Sequence, residues 1–163
     1  MTETFKSNPP APSALRLRVP DFTVPATGGE FTLAAWLGKP VVLYFYPKDN
    51  TPGCTTQAQQ FRDLHAEFVK AGCVVVGVSR DDLKSHENFK AKLGLPFELI
   101  SDIEGVLCRM FDVVKNKMLY GKKVLGIQRS TFLIDANGLL RQEWRSTKAD
   151  GNAAAVLDAV RKL

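Results

Sequence analysis

The sequence predicts an α/β fold, a central mixed β-sheet flanked by helices and opened by an N-terminal β-hairpin. Three observations carry this. Val41-Val-Leu-Tyr-Phe-Tyr46 and Cys73-Val-Val-Val-Gly-Val-Ser79 are unbroken apolar runs of strand formers, the pattern of strands buried on both faces. Between them Ala58, Phe61, Leu64 and Phe68 recur at helical spacing, and Gly72 lies beyond the end. A strand–helix–strand unit of this kind crosses over right-handed and makes its two strands parallel. Finally, Ser130-Thr-Phe-Leu-Ile134 and Leu139-Leu-Arg-Gln-Glu-Trp144 flank Asp135-Ala-Asn-Gly138, the signature of an antiparallel hairpin with an Asn-Gly turn.

The remaining elements follow in chain order. Residues 1–13 are polar and contain Pro9, Pro10 and Pro12, and they read as a loose arm; residues 14–163 read as one domain. Phe22-Thr-Val and Glu30-Phe-Thr-Leu flank Thr27-Gly28-Gly29, which predicts the first hairpin. Pro47 to Gly53 is a loop. Leu83 to Leu93 predicts a helix capped by Asp82 and stopped by Gly94, with Pro96 beyond. A short helix is expected over Glu104 to Phe111, and an amphipathic helix from Ala153 to Leu163. No element is assigned between Pro96 and Glu104.

Composition narrows the function. The chain has 163 residues, 45 % hydrophobic and 24 % charged, as in ordinary globular domains. No apolar run approaches the roughly 18 residues of a membrane span. Met1 to Ser13 lacks a secretory h-region, so a cytoplasmic protein with no membrane partner is expected. The net charge of +5 is mild, and no basic stripe interleaved with aromatics marks a nucleic-acid surface. The one basic cluster, Lys115, Lys117, Lys122 and Lys123, reads as a solvated loop. Three cysteines are an odd count and too few for a disulfide framework. They show no ligand spacing with His65 and His86, so no metal site is expected, and no cofactor is assigned. His65 is placed at a helix boundary and His86 on an exposed first turn.

Chemistry concentrates at Cys54. Thr51-Pro52-Gly53-Cys54 lies where the loop becomes a helix, with Thr51 at the N-cap and Pro52 at the first helical position. Cys54 then falls in the first turn. There unpaired backbone N–H groups and the positive end of the helix dipole favour a thiolate, the nucleophilic form of cysteine. The spot also lies beyond the carboxyl end of a buried strand, where open α/β sheets bind ligands. Spacing alone leaves open the plainer alternative of a small buried residue in a capped helix.

At these residues the chain resembles a known family. Pro47-x-x-x-Thr51-x-x-Cys54 matches the peroxiredoxin active-site signature. Tyr44-Phe-Tyr-Pro-Lys-Asp-Asn-Thr-Pro-Gly-Cys-Thr-Thr-Gln57 is similar to the peroxiredoxin Q branch, also called bacterioferritin comigratory protein. Lys84-Ser-His86 and Arg129-Ser-Thr-Phe-Leu-Ile-Asp135 resemble the same branch, and the likeness runs from about Pro20 to the C-terminal helix. The resemblance implies a thioredoxin-like fold and reduction of hydrogen peroxide and organic hydroperoxides without metal or haem. It implies that Cys54 is the peroxidatic cysteine, that Thr51 and Arg129 hold the peroxide oxygens, and that Pro47 shields the thiolate. It further implies an antioxidant role and a monomer.

The second cysteine is where the chain departs from the family. Gln59 stands five residues after Cys54, where many members carry the resolving cysteine, and Lys90 stands at the other common position. Cys73 opens a strand after a helix of about 17 residues, roughly 25 Å long. That puts it at the opposite end of the sheet, beyond the about 7 Å between Cα atoms that a disulfide allows. Cys108 lies off the apolar face of its short helix, with partial exposure open to it. A one-cysteine mechanism is therefore expected, resolved by glutathione, glutaredoxin or thioredoxin; the alternative is a two-cysteine enzyme resolved by Cys108. A thiol–disulfide oxidoreductase would need a Cys-x-x-Cys pair, and position 57 is Gln. A non-enzymatic binding or chaperone module on the same fold would differ in consuming no peroxide.

Overall fold

The computed structural model describes residues 17–163. The predicted arm at 1–13 lies outside the described residues. Strands β1 (Thr23–Ala26), β2 (Gly29–Thr32), β3 (Val41–Phe45), β4 (Val74–Ser79), β5 (Glu98–Ser101), β8 (Ser130–Ile134) and β9 (Leu140–Trp144) form one seven-stranded sheet in the order β2-β1-β5-β4-β3-β8-β9. β3 pairs parallel with β4, and β4 with β5, while β8 lies antiparallel to β3. The mixed sheet predicted from sequence is thus present, widened by β5. The sequence does not signal that strand, because four residues after a helix stop carry too short a pattern to read.

Strand alternation divides the core in two. Val41, Leu43 and Phe45 of β3 face one side, packed with Leu107 and Cys108 of α4 (Val106–Met110) and with Phe111. Val42, Tyr44 and then Tyr46 face the other. There they meet Ala58 and Phe61 of α1 (Pro52–Asp63), Phe68 of α2 (His65–Lys70), Phe89 of α3 (Leu83–Leu93) and Val156 and Val160 of α5 (Asn152–Arg161). Tyr44 stacks on Phe61 at 4.5 Å between ring centroids, tying the central strand to α1.

Local signals act as expected at most boundaries. The Asp82 carboxylate accepts from the Ser85 N–H at 2.8 Å, and Gly94 closes α3 in the left-handed region at φ 63°. Gly138 takes φ 82° in the last hairpin turn, where the Asp135 side chain accepts from the N–H groups of Asn137 and Leu139. Two expectations are corrected. The helix predicted to run unbroken to Gly72 is interrupted at Leu64, whose backbone stands at φ −97°, ψ 1°, and resumes as α2. The Lys115–Lys123 stretch is not a loop. It forms β6 (Val114–Leu119) and β7 (Lys122–Ile127), a separate two-stranded antiparallel sheet. Its four lysines mask the strand pattern, and Met118 and Tyr120 between them are exposed.

Candidate active site

Thr51 occupies the N-cap of α1 in extended conformation, with Pro52 at the first helical position, as the sequence predicts. Its hydroxyl makes no cap hydrogen bond. It donates to the Lys48 carbonyl at 2.8 Å, which closes the Pro47–Thr51 loop and leaves the oxygen's lone pairs as acceptors. Pro47 opens that loop half-buried, and Asn50 carries it through the left-handed region at φ 65°. Cys54 is the third residue of α1, and its N–H belongs to the first turn, which has no intrahelical partner. The side chain is 1 % exposed.

Arg129, in the two-residue link between β7 and β8, reaches this sulfur from the start of the strand beside β3. Its Nη2 donates to Cys54 Sγ at 3.5 Å, and its Nη1 donates to Gln57 Oε1 at 2.7 Å. Gln57 lies one turn beyond Cys54 on the same face of α1 and is fully buried. Its Nε2 donates to Asn152 Oδ1 at 3.0 Å, which also accepts from Thr131 Oγ1 at 2.8 Å. The guanidinium is therefore held by a chain of amides running to the start of α5. Gly53 completes the fit, since a Cβ there would stand 3.1 Å from Arg129 Nη2. The structure brings Cys54 and Arg129 together, with Thr51 and Pro47 in the adjoining loop.

A second buried network fixes that loop from behind. Asp49 accepts from Tyr46 Oη at 2.7 Å and from Ser85 Oγ at 2.8 Å, and it faces His86 Nδ1 at 2.7 Å. Burial pushes the Asp49 carboxyl up, but the hydrogen bonds from His86 and Tyr46 and the attraction of His86 prevail and hold it below its usual value. The Asp49 N–H donates to Asp81, which also accepts from Ser79 Oγ. His86, expected on an exposed turn, is 0 % exposed. The first turn of α3 faces the Pro47–Thr51 loop, and the other ring nitrogen lies 2.9 Å from the Ile100 carbonyl. His65 is half-buried, as its boundary position suggests.

The other two cysteines lie elsewhere. Cys73 immediately precedes β4, at the end where Val74 pairs with Val41, so the length of β3 separates it from Cys54. Burial pushes its thiol up to about 12. Cys108 packs on the opposite face of the sheet and is 1 % exposed, against the partial exposure its helical position allowed. Burial, and then the Asp102 carboxylate, drive its thiol far up. The Asp102 carboxylate binds the N–H groups of Leu107 and Cys108 and so turns α4 into the core.

Gln57, Gly53, Asn152 and the Asp49–His86 pair were not singled out by the sequence as parts of this site. Their signals were local: Gln57 stands three residues after Cys54 on one helix face, Asp49 and Gly53 lie within the Tyr44–Gln57 motif, and His86 closes Lys84-Ser-His86. Asn152 lies 95 residues from its partner and could be found only from the fold.

Comparison with known proteins fits this arrangement. A model of the AhpC/TSA family matches residues 15–143. The chain belongs to that family. It is 51 % identical to peroxiredoxin Bcp of Xanthomonas campestris over 91 % of this chain and 95 % of that one. It is 46 % identical to peroxiredoxin Bcp of Bacillus subtilis over 90 % and 94 % of the two chains. Among solved structures, Xanthomonas campestris peroxiredoxin Q superposes with a TM-score of 0.84 at 51 % identity, covering 90 % of this chain and 96 % of that one. Family membership makes the chain a thiol peroxidase on the thioredoxin-like fold expected from its sequence.

Proposed function

We propose that Cys54 is the peroxidatic cysteine and that the enzyme works with this one cysteine alone. The Cys54 thiolate attacks one oxygen of the peroxide. The S–O bond forms as the O–O bond breaks, and the departing oxygen leaves as water or alcohol once protonated. Cys54 becomes a sulfenic acid, the first and reversible oxidation level of the thiol. The reading rests on one observation, the Arg129 guanidinium 3.5 Å from Cys54 Sγ and anchored by Gln57. A fixed cation there stabilises charge building on the leaving oxygen, without reorganising during the step. Thr51, its proton engaged by Lys48, offers acceptor lone pairs to the protonated peroxide oxygen, and Pro47 limits water at the mouth.

Resolution then falls to an external thiol: glutathione, glutaredoxin or thioredoxin. Cys73 and Cys108 are buried, one beyond the far end of β3 and the other across the sheet. Lys90, where related enzymes carry a second cysteine, instead holds Glu98 of β5 in an ion pair. Hydrogen peroxide and organic hydroperoxides are the proposed substrates. A related Xanthomonas campestris bacterioferritin comigratory protein was solved in connection with its alkyl peroxide reduction activity. Single-turnover kinetics test the assignment. Cys54→Ser is expected to abolish peroxide consumption, whereas Cys73→Ser and Cys108→Ser keep the first turnover. Substantial consumption by Cys54→Ser would overturn it.

A further inference from the structure

We infer that the β6–β7 hairpin is the docking surface for the reductant, and that this reductant is a protein dithiol with an acidic rim around an apolar centre. The inference rests on the external-thiol reading above. Residues 114–127 contain four lysines and no aspartate or glutamate. Lys122 and Lys123 are exposed, and so are large apolar side chains that a solvated loop has no use for: Tyr120 at 96 %, Met118 at 67 % and Leu125 at 66 %. The register places Met118 beside Lys123 and Leu125 beside Asn116 on one face, with Tyr120 at the turn. Tyrosine and methionine are enriched where proteins meet, with charges at the rim.

The hairpin is anchored at its base. Ile127 and Val113 are buried, and the Gln128 N–H donates to the Val113 carbonyl at 2.7 Å. From there β7 leads through Gln128 straight to Arg129, whose guanidinium touches Cys54. At about 3.3 Å per residue, Leu125 lies roughly 13 Å of chain from Arg129, within the footprint of a small docked protein. The other exposed apolar groups are less suited. Ile103 and Val106 are flanked by Asp102 and Glu104, and Trp36 and Val69 line a cleft beside Cys73 at the far end of the sheet.

Chemistry favours a protein dithiol. Its first thiol attacks the Cys54 sulfenic acid, forming a mixed disulfide and releasing water. Its second thiol then attacks the partner's sulfur, so Cys54 returns as thiol and the partner leaves as a disulfide, oxidised by two electrons. Such encounters are brief, with small interfaces and charge-steered association, and a lysine-rimmed finger supplies the steering.

The test compares wild type with Lys122→Glu/Lys123→Glu and with Leu125→Ser, all carrying an intact site. Peroxide reduction in a single turnover and turnover driven by glutathione alone are expected to stay unchanged. With thioredoxin and with glutaredoxin, each kept reduced by its own NADPH-coupled system, the charge-reversed variant should raise the KM of at least one by about tenfold at low ionic strength. The gap should close at high salt. Leu125→Ser should raise the same KM at every salt concentration. An unchanged KM for both protein reductants overturns the docking surface, as does a fall in the single-turnover peroxide rate, which would show that the hairpin shapes Arg129 instead. Hairpin-dependent binding to anionic phospholipid vesicles with KM unchanged overturns it too. An internal disulfide with Cys108 in peptide maps would instead overturn the external-thiol reading itself.

Discussion

Cys54 and Cys73 belong to the same core cluster, both essentially out of reach of water, at 1 % and 3 % exposure. What faces each sulfur differs. At Cys73, Sγ donates to Val74 O at 3.6 Å, and burial outweighs a backbone hydrogen bond from Val42 and pushes the thiol up to about 12. Cys54 instead meets the Arg129 guanidinium and the open N–H groups of a helix's first turn. Burial alone makes a cysteine inert; burial with convergent donors suits it to the nucleophilic role proposed for Cys54. The active site is thus less a property of the cysteine than of the strand end to which α1 and the β7–β8 link deliver donors.

The comparison is broken most severely by removing the cation. Arg129→Ala is expected to slow peroxide reduction by about 10²–10³-fold, the usual cost of one lost oxyanion donor, measured by stopped-flow single turnover. Arg129→Lys should recover only part, because an ammonium cannot hold Cys54 and Gln57 together as the guanidinium fork does. A wild-type rate in Arg129→Ala would remove Arg129 from the site.

A smaller break leaves the cation and loosens its support. Gln57→Ala removes the acceptor that aims Arg129, and a loss of about tenfold in the single-turnover rate is expected, about 1.4 kcal/mol in the barrier. Gly53→Ala acts on the opposite side of the guanidinium, where a methyl group would crowd Arg129 Nη2 at 3.1 Å, and it should cost several-fold. If either variant moves thermal stability but not rate, the amide chain is structural only.

The smallest effect belongs to Cys73. Because its thiol stays protonated up to about 12, iodoacetamide at pH 7 to 9 should alkylate the folded protein at Cys54 and leave Cys73 untouched. Labelled peptides read this directly, and equal labelling of both would erase the distinction between the two ends of the sheet.

How much of this was legible in the sequence follows from how local each signal is. The Thr51-Pro52-Gly53-Cys54 corner announces itself, because capping and proline chemistry act within four residues. The α3 cap at Asp82 and the Asn137-Gly138 turn are legible for the same reason. Arg129 was reached through family resemblance alone, since a lone arginine before a strand looks like any surface charge. The Gln57–Asn152 link, the burial of His86 against Asp49 and the facing of Cys108 into the core depend on long-range packing that no local pattern encodes. The β6–β7 hairpin does not read as strands for a physical reason: strand reading relies on apolar burial, and Met118, Tyr120 and Leu125 are exposed.

The central claim is that oxidation begins and stays at Cys54. Mass mapping of the intact chain and its non-reduced peptides after one equivalent of hydrogen peroxide tests it most directly. One added oxygen on Cys54 is expected, replaced by a glutathione adduct at the same residue when glutathione is present, with Cys73 and Cys108 unmodified. A first oxidation at Cys73 or Cys108, or a dominant disulfide from Cys54 to either of them, would contradict it.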